Sequence, residues 1–146
     1  MLLLVPSQLD SCNEVEEIIA LIRVCGLDKI ADRLLVLREY ERDLEDDQVP
    51  ISFGSRKRFA RFVITERSLA DPRLGVSPDG NVQAEWHCGR NKRLATKFLE
   101  NGMVRFAVIA PTTEHPSGRM SLNGEVPAKD VTGTLSVCKI TDWAGK

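Results

Sequence analysis

The sequence predicts an α+β fold, with N-terminal helices followed by a four- to six-stranded, mostly antiparallel sheet in one domain over residues 1–146. Two observations carry this. Residues 71–111 alternate apolar and polar side chains between three turn signals, Asp79-Gly80, Gly89-Arg90-Asn91 and Glu100-Asn101-Gly102. Alternation between such turns is the mark of an antiparallel meander. Residues 11–66 instead repeat apolar side chains every three or four positions, the period of amphipathic helices. The helical part is expected over about 11–66 and the sheet over about 72–140.

Ser11 and Glu14 have the spacing of a capping box, and Val15, Ile18, Ile19, Ile22 and Cys25 follow as one helical stripe up to Gly26. Asp28 is expected to cap a second helix running to about Glu45, with Ile30, Leu34, Leu37, Tyr40 or Glu41, and Leu44 along one side. The acidic run from Glu41 to Asp47 opposes the helix macrodipole, so an early end and an exposed acidic loop are expected. Ser52 is placed to cap a third helix, from Phe53 to about Thr65, with Phe59, Phe62 and Val63 towards the core. Its Arg56, Lys57, Arg58 and Arg61, with Arg67 just beyond, form the densest basic cluster of the chain. Such a helix presents a solvated basic face, and its charges also suit pairing with the acidic helix before it.

In the meander, Val82, Ala84, Trp86 and Cys88 share one face. Pairing Cys88 with Lys92 places Trp86 opposite Leu94, Ala84 opposite Thr96 and Val82 opposite Phe98. A three-residue loop with Gly102 in the left-handed region then sets Phe98 against Val104, Thr96 against Phe106 and Leu94 against Val108. A two-residue loop would slip the register by one and turn every side chain over. The other face gathers Gln83, Glu85, His87, Arg93, Lys97 and Arg105, with Lys97 directly opposite Arg105. Two like charges so placed repel, and Glu85 is the expected relief. Asn123-Gly124 reads as a further turn and residues 134–140 as a last strand.

At 146 residues and 42% hydrophobic content the chain can bury a substantial core. The opening Met1-Leu2-Leu3-Leu4-Val5-Pro6 is too short and lacks the basic flank of a secretion signal, and no apolar run approaches a membrane span. A cytoplasmic protein without a membrane partner is expected, with Cys12, Cys25, Cys88 and Cys138 as reduced, buried thiols. No C-x-x-C pair, Walker loop, dinucleotide fingerprint, nucleophile elbow or H-E-x-x-H occurs, so the sequence points to no metal and no cofactor.

Charge is split along the chain. Residues 1–50 carry five Lys/Arg against twelve Asp/Glu (−7), and residues 51–146 carry fifteen against nine (+6). Opposite ends can therefore meet different partners, or each other in a homodimer. The acidic surface of Asp43, Glu45, Asp46 and Asp47 suits a basic protein partner, such as a toxin or nuclease. Arg56, Lys57, Arg58, Arg61, Lys97 and Arg105 would instead suit nucleic-acid phosphates. Glu85, His87, Arg93, Lys97 and Arg105 also form the best arrangement for metal-free RNA cleavage, with an acid, an imidazole and cations on one face. No motif of an enzyme accompanies them, and a non-catalytic binding protein is the expectation.

Residues from about 46 to 110 resemble a pattern found in small uncharacterised bacterial proteins. It comprises Pro50-Ile51-Ser52 before a helix, then Asp71-Pro72, Ser77-Pro78-Asp79-Gly80, Val82-Gln83, Glu85-Trp86 and a strand closing near Asn101-Gly102. The resemblance covers nearly half of the chain and leaves out the first 45 residues and the C-terminal tail. Such proteins are often encoded beside toxin–antitoxin or mobile-element genes. The resemblance therefore implies a bacterial, antitoxin-like or immunity-like role, and no catalytic activity.

Overall fold

Four helices precede five strands: α1 (Val5–Asp10), α2 (Val15–Val24), α3 (Asp28–Arg42), α4 (Phe53–Thr65), then β1 (Arg73–Val76), β2 (Val82–Cys88), β3 (Lys92–Phe98), β4 (Met103–Pro111) and β5 (Arg119–Pro127). The strands form one antiparallel sheet in chain order, β1 to β5, so the molecule is α+β. The computed structural model describes residues 5–44, 48–66, 70–89, 91–111, 116, 118–131, 133 and 134. Expectations for Glu45, Asp46, Asp47, Arg67, Arg90 and Cys138 lie outside the described residues, as does the last strand expected over residues 134–140 except for Thr134, which is helical.

The meander register is as the alternation predicts. Val82 faces Phe98, Ala84 faces Thr96, Trp86 faces Leu94 and Cys88 faces Lys92. Phe98 then faces Val104, Thr96 faces Phe106 and Leu94 faces Val108. Gly102 sits at φ 89°, the left-handed conformation that the three-residue loop requires.

Helix α4 lies on the apolar face of this sheet. Phe59 meets Phe98 edge-on at 5.3 Å between ring centroids, and Phe62 bridges Phe98 at 5.4 Å and Trp86 at 6.4 Å. Polar groups within the core are satisfied. Ser55 Oγ donates to Phe98 O (2.5 Å) and accepts from Val82 N–H (2.7 Å), so one hydroxyl ties α4 to two strands. Trp86 Nε1–H donates to Ala70 O at 2.7 Å. Ser52 caps α4 as predicted, its hydroxyl accepting from Ser55 N–H at 3.1 Å.

Several local expectations change. Ser11 does not start α2, because its own N–H closes the turn after α1 by bonding Gln8 O. Glu14 is the N-cap instead, and its N–H donates to the Glu17 carboxylate at 3.1 Å. Asp28 is the first residue of α3 rather than its cap, since Leu27 occupies the N-cap. An acid in the first turn still suits the helix dipole. Helix α3 ends at Arg42, and Glu41 rather than Tyr40 continues its inward side, Tyr40 being exposed. Asn123-Gly124 makes no turn but lies within β5. Gly124 is opposite Phe106, and a Cβ there would come to 3.0 Å from that ring, so the glycine serves as a notch for an aromatic. Cys88 is exposed although its register places it with Trp86, because it lies at the hairpin end of β2. Only Cys12 is a buried thiol among the described cysteines, Cys25 being half-buried.

Candidate functional site

Alternate residues of the strands that hold the core also build the open face of the sheet. One cross-strand row runs Gly75, Gln83, Lys97, Arg105, Glu125, and the next runs Arg73, Glu85, Ala95, Ala107, Asn123. The β2 to β5 members of these two rows line a shallow concavity of about 610 Å³ with Ala95 and Ala107 in its floor.

Lys97 does lie opposite Arg105, but Glu85 is not what relieves the repulsion. Lys97 Nζ turns to Asp79 (2.7 Å), and Arg105 Nη2 turns to Glu125 (3.3 Å), so the two cations diverge. Glu85 is held elsewhere, accepting from Arg93 at 2.7 Å and meeting His87 at 3.2 Å. Each carboxylate responds to its partners. Hydrogen bonds from Lys97 and Ser77 hold the Asp79 carboxyl down at about 2, and the hydrogen bond from Arg93 holds Glu85 below its ordinary value against its partial burial. Both are anions at neutral pH. Chemically, Glu85 is taken up by an ion pair to Arg93 and a hydrogen-bond contact with His87 on an exposed surface.

The basic cluster of α4 does not form a patch. Arg56 is only 3% exposed and reaches Glu41 of α3 at 2.7 Å. Its solvated face was the expectation, and the correction has a simple cause: one helical period places Arg56 beside Phe59 and Ala60 on the inner side. Glu41 also accepts from Arg38 (3.0 Å) and from Ile51 N–H (2.8 Å). Burial raises the Glu41 carboxyl, but the bonds from Arg56 and Ile51 outweigh it and leave the group below its ordinary value. Lys57 donates to Asp10 O at 3.0 Å and lies over the Phe53 ring, and Arg61 pairs with the Asp10 carboxylate. Arg58 is exposed, with its guanidinium beside Gly102. The four cations thus point to three different surroundings.

On the helical side, Asp43 is exposed at the C-terminal end of α3. The α2–α3 hairpin is crossed by ion pairs at both ends. Arg23 meets Asp32 (2.9 Å) and Asp28 (3.8 Å), while Arg38 meets Glu16 (3.2 Å). Between them lies an apolar groove of about 550 Å³, lined by Ile19, Ala20, Val24 and Leu35. Val24 is 71% exposed and Leu35 41%, with Val36 and Tyr40 also exposed further along α3. The sequence reading missed this surface; it did anticipate acid–base pairing between α3 and α4, which Glu41–Arg56 realises, but not that the pair is buried. A signal was present, because Leu35 and Val36 lie off the apolar stripe of α3.

Compared with protein-family models, with curated proteins and with solved structures, the chain matches none. No helix among the described residues is long and apolar enough to cross a membrane.

Proposed function

We propose that the chain is a non-catalytic protein-binding protein, antitoxin-like or immunity-like, whose acidic helical side covers a basic surface on a partner such as a toxin or nuclease. The observation that carries this reading is the engagement of the candidate cations within the fold. Arg56 is committed to Glu41, Lys57 and Arg61 to Asp10, Lys97 to Asp79, Arg93 to Glu85 and Arg105 to Glu125. Holding phosphates would require several of these pairs to open, which costs binding energy. The acidic hairpin sets exposed carboxylates such as Glu39 and Asp43 beside exposed apolar side chains, the combination found where proteins meet. A bacterial setting belongs to the same proposal and rests on the sequence resemblance. A nucleic-acid-binding module remains the alternative, supported by the exposed Arg58 and by the summed positive charge of residues 51–146.

One experiment separates them. The purified protein is titrated into labelled duplex DNA and single-stranded RNA at about 150 mM salt without added metal, and the RNA is also checked for cleavage. Weak or no binding and uncut RNA are expected. Capture of a basic protein should weaken when Asp43, Glu45, Asp46 and Asp47 are neutralised. Nucleic-acid binding at roughly micromolar affinity or tighter, lost on neutralising Lys57, Arg58 and Arg61, would overturn the reading in favour of nucleic acid. Metal-free cleavage that falls at least about 10²-fold in His87→Ala would do so in favour of a ribonuclease.

A further inference from the structure

Resting on the protein-binding reading, we propose that the groove between α2 and α3 is the docking site and that its occupant is a basic amphipathic helix of the partner. Two antiparallel helices leave a furrow that a third helix fills by ridge-into-groove packing. The furrow here is floored by Ile19, Ala20, Val24 and Leu35. Its two closing ion pairs lie seven α2 residues apart, at Glu16 and Arg23, or roughly 10 Å at 1.5 Å per residue. That span suits two turns of a guest helix, with apolar side chains at i, i+3 or i+4, and i+7.

Charge selects among the guests. Arg23 is shared between Asp28 and Asp32, and Arg38 between Glu16 and Glu41. Arg23 therefore faces two carboxylates at the surface, whereas Glu41 is buried against Arg56 and leaves Arg38 with Glu16 at the rim. Glu39, exposed one turn beyond Leu35 on the same side of α3, adds another, and Asp43 follows a further turn on. With Arg42 near Glu16 included, Arg23, Arg38 and Arg42 stand against Glu16, Asp28, Asp32, Glu39 and Asp43, and the rim stays net negative. A second copy of this chain would bring the same negative rim against itself, and an anionic lipid surface would be repelled. A helix with Lys or Arg flanking its apolar stripe meets the groove with complementary charge at both edges. Val24 and Leu35, which are 71% and 41% exposed along the groove, are the side chains such a helix would cover.

The test uses a synthetic Leu/Lys peptide of about 18 residues, designed as an amphipathic helix, and a permuted peptide of the same composition without an apolar face. Binding to the full chain is measured by calorimetry and by backbone amide shifts at about 150 mM salt. The amphipathic peptide should bind more tightly than the permuted one and shift the amides of residues 19–24 and 35–39. Val24→Lys and Leu35→Lys, both at exposed positions, should each weaken it at least about tenfold while leaving the melting temperature unchanged. Arg105→Ala on the sheet face should have no effect. Equal binding of both peptides, or undiminished binding to Leu35→Lys, would overturn the proposal. So would self-association that Leu35→Lys abolishes, which would assign the groove to a second copy. Failure of the groove and failure of the general reading are distinguishable. If neutralising Asp43, Glu45, Asp46 and Asp47 prevents capture of a basic partner while Leu35→Lys does not, the reading stands and the groove is wrong.

Discussion

Glu41–Arg56 and Glu85–Arg93 are the same chemical pair at the same 2.7 Å, yet they belong to two different regions of the molecule. The first is buried between α3 and α4, with side chains 9% and 4% exposed. The second stands on the open face of the sheet at 27% and 50%. Water screens the exposed pair and can replace either partner. In the buried region each charge depends on the other and on fixed neighbours such as Ile51 N–H. The same contrast runs through the sheet. On its covered face Trp86, Leu94, Phe98, Val104 and Phe106 are buried, with Trp86 and Phe98 meeting the aromatic rings of α4, and volume and shape decide. On its open face, Gln83, Glu85, Lys97 and Arg105 alternate with those residues and choose partners by charge. Distance alone says little about the worth of an ion pair; the surrounding dielectric and the remaining hydrogen bonds decide it.

The largest effect should come from the covered face. Trp86→Ala removes a buried ring that touches Phe62 and vacates its hydrogen bond to Ala70 O, and should cost about 3–5 kcal/mol in chemical denaturation. An unchanged unfolding midpoint would show that this face is not a packed core.

Comparing the two ion pairs directly sharpens the contrast. Arg56→Ala leaves Glu41 buried with less compensation and should destabilise by about 3–5 kcal/mol. Arg93→Ala should cost at most about 1 kcal/mol, because Glu85 is partly hydrated. Equal losses for the two variants would break the comparison.

The smallest effect concerns acid. Asp79 has a folded-state carboxyl held at about 2, below its ordinary 3.8, chiefly by the hydrogen bond from Lys97. A depressed carboxyl stabilises the fold fully above its unfolded value, and that contribution is lost as pH falls through the folded one. The wild-type melting temperature should therefore fall between about pH 4 and pH 2 more steeply than that of Asp79→Asn. Parallel curves for the two proteins would remove Asp79 from the account. Any shared slope would then report other depressed carboxyls, of which Glu41 and Glu85 are two.

Strand order and register were legible because a period of two leaves little freedom. Once Gly102 closes a three-residue loop, each side chain in β3 and β4 has an assigned face. Helix α4 was legible because Ser52 and the Phe59, Phe62 and Val63 stripe agree on its start and its inner side. The candidate site was only half visible. The sequence placed Lys97 opposite Arg105 but could not show that Asp79, from the turn before β2, and Glu125, the cross-strand neighbour of Arg105 on β5, would separate them. It grouped Arg56 with Lys57, Arg58 and Arg61 by proximity in the chain.

What the amino-acid order determined by itself is therefore helices α2 to α4, strands β2 to β4, the pairing of those strands and the face on which each of their residues lies. All of these follow from local periodicity and turn chemistry, whereas α1 and β5 were not anticipated. Only the tertiary structure decided which charges are buried, which partners they take and which apolar side chains stay exposed. Those outcomes depend on residues far apart in sequence, such as Glu41 with Arg56 or Lys97 with Asp79, and on the dielectric that packing creates around them. Gly124 is a case where both levels speak about one residue. Locally it signals a turn, but the Phe106 ring across the sheet needs the space its missing side chain leaves, and packing outweighs turn propensity.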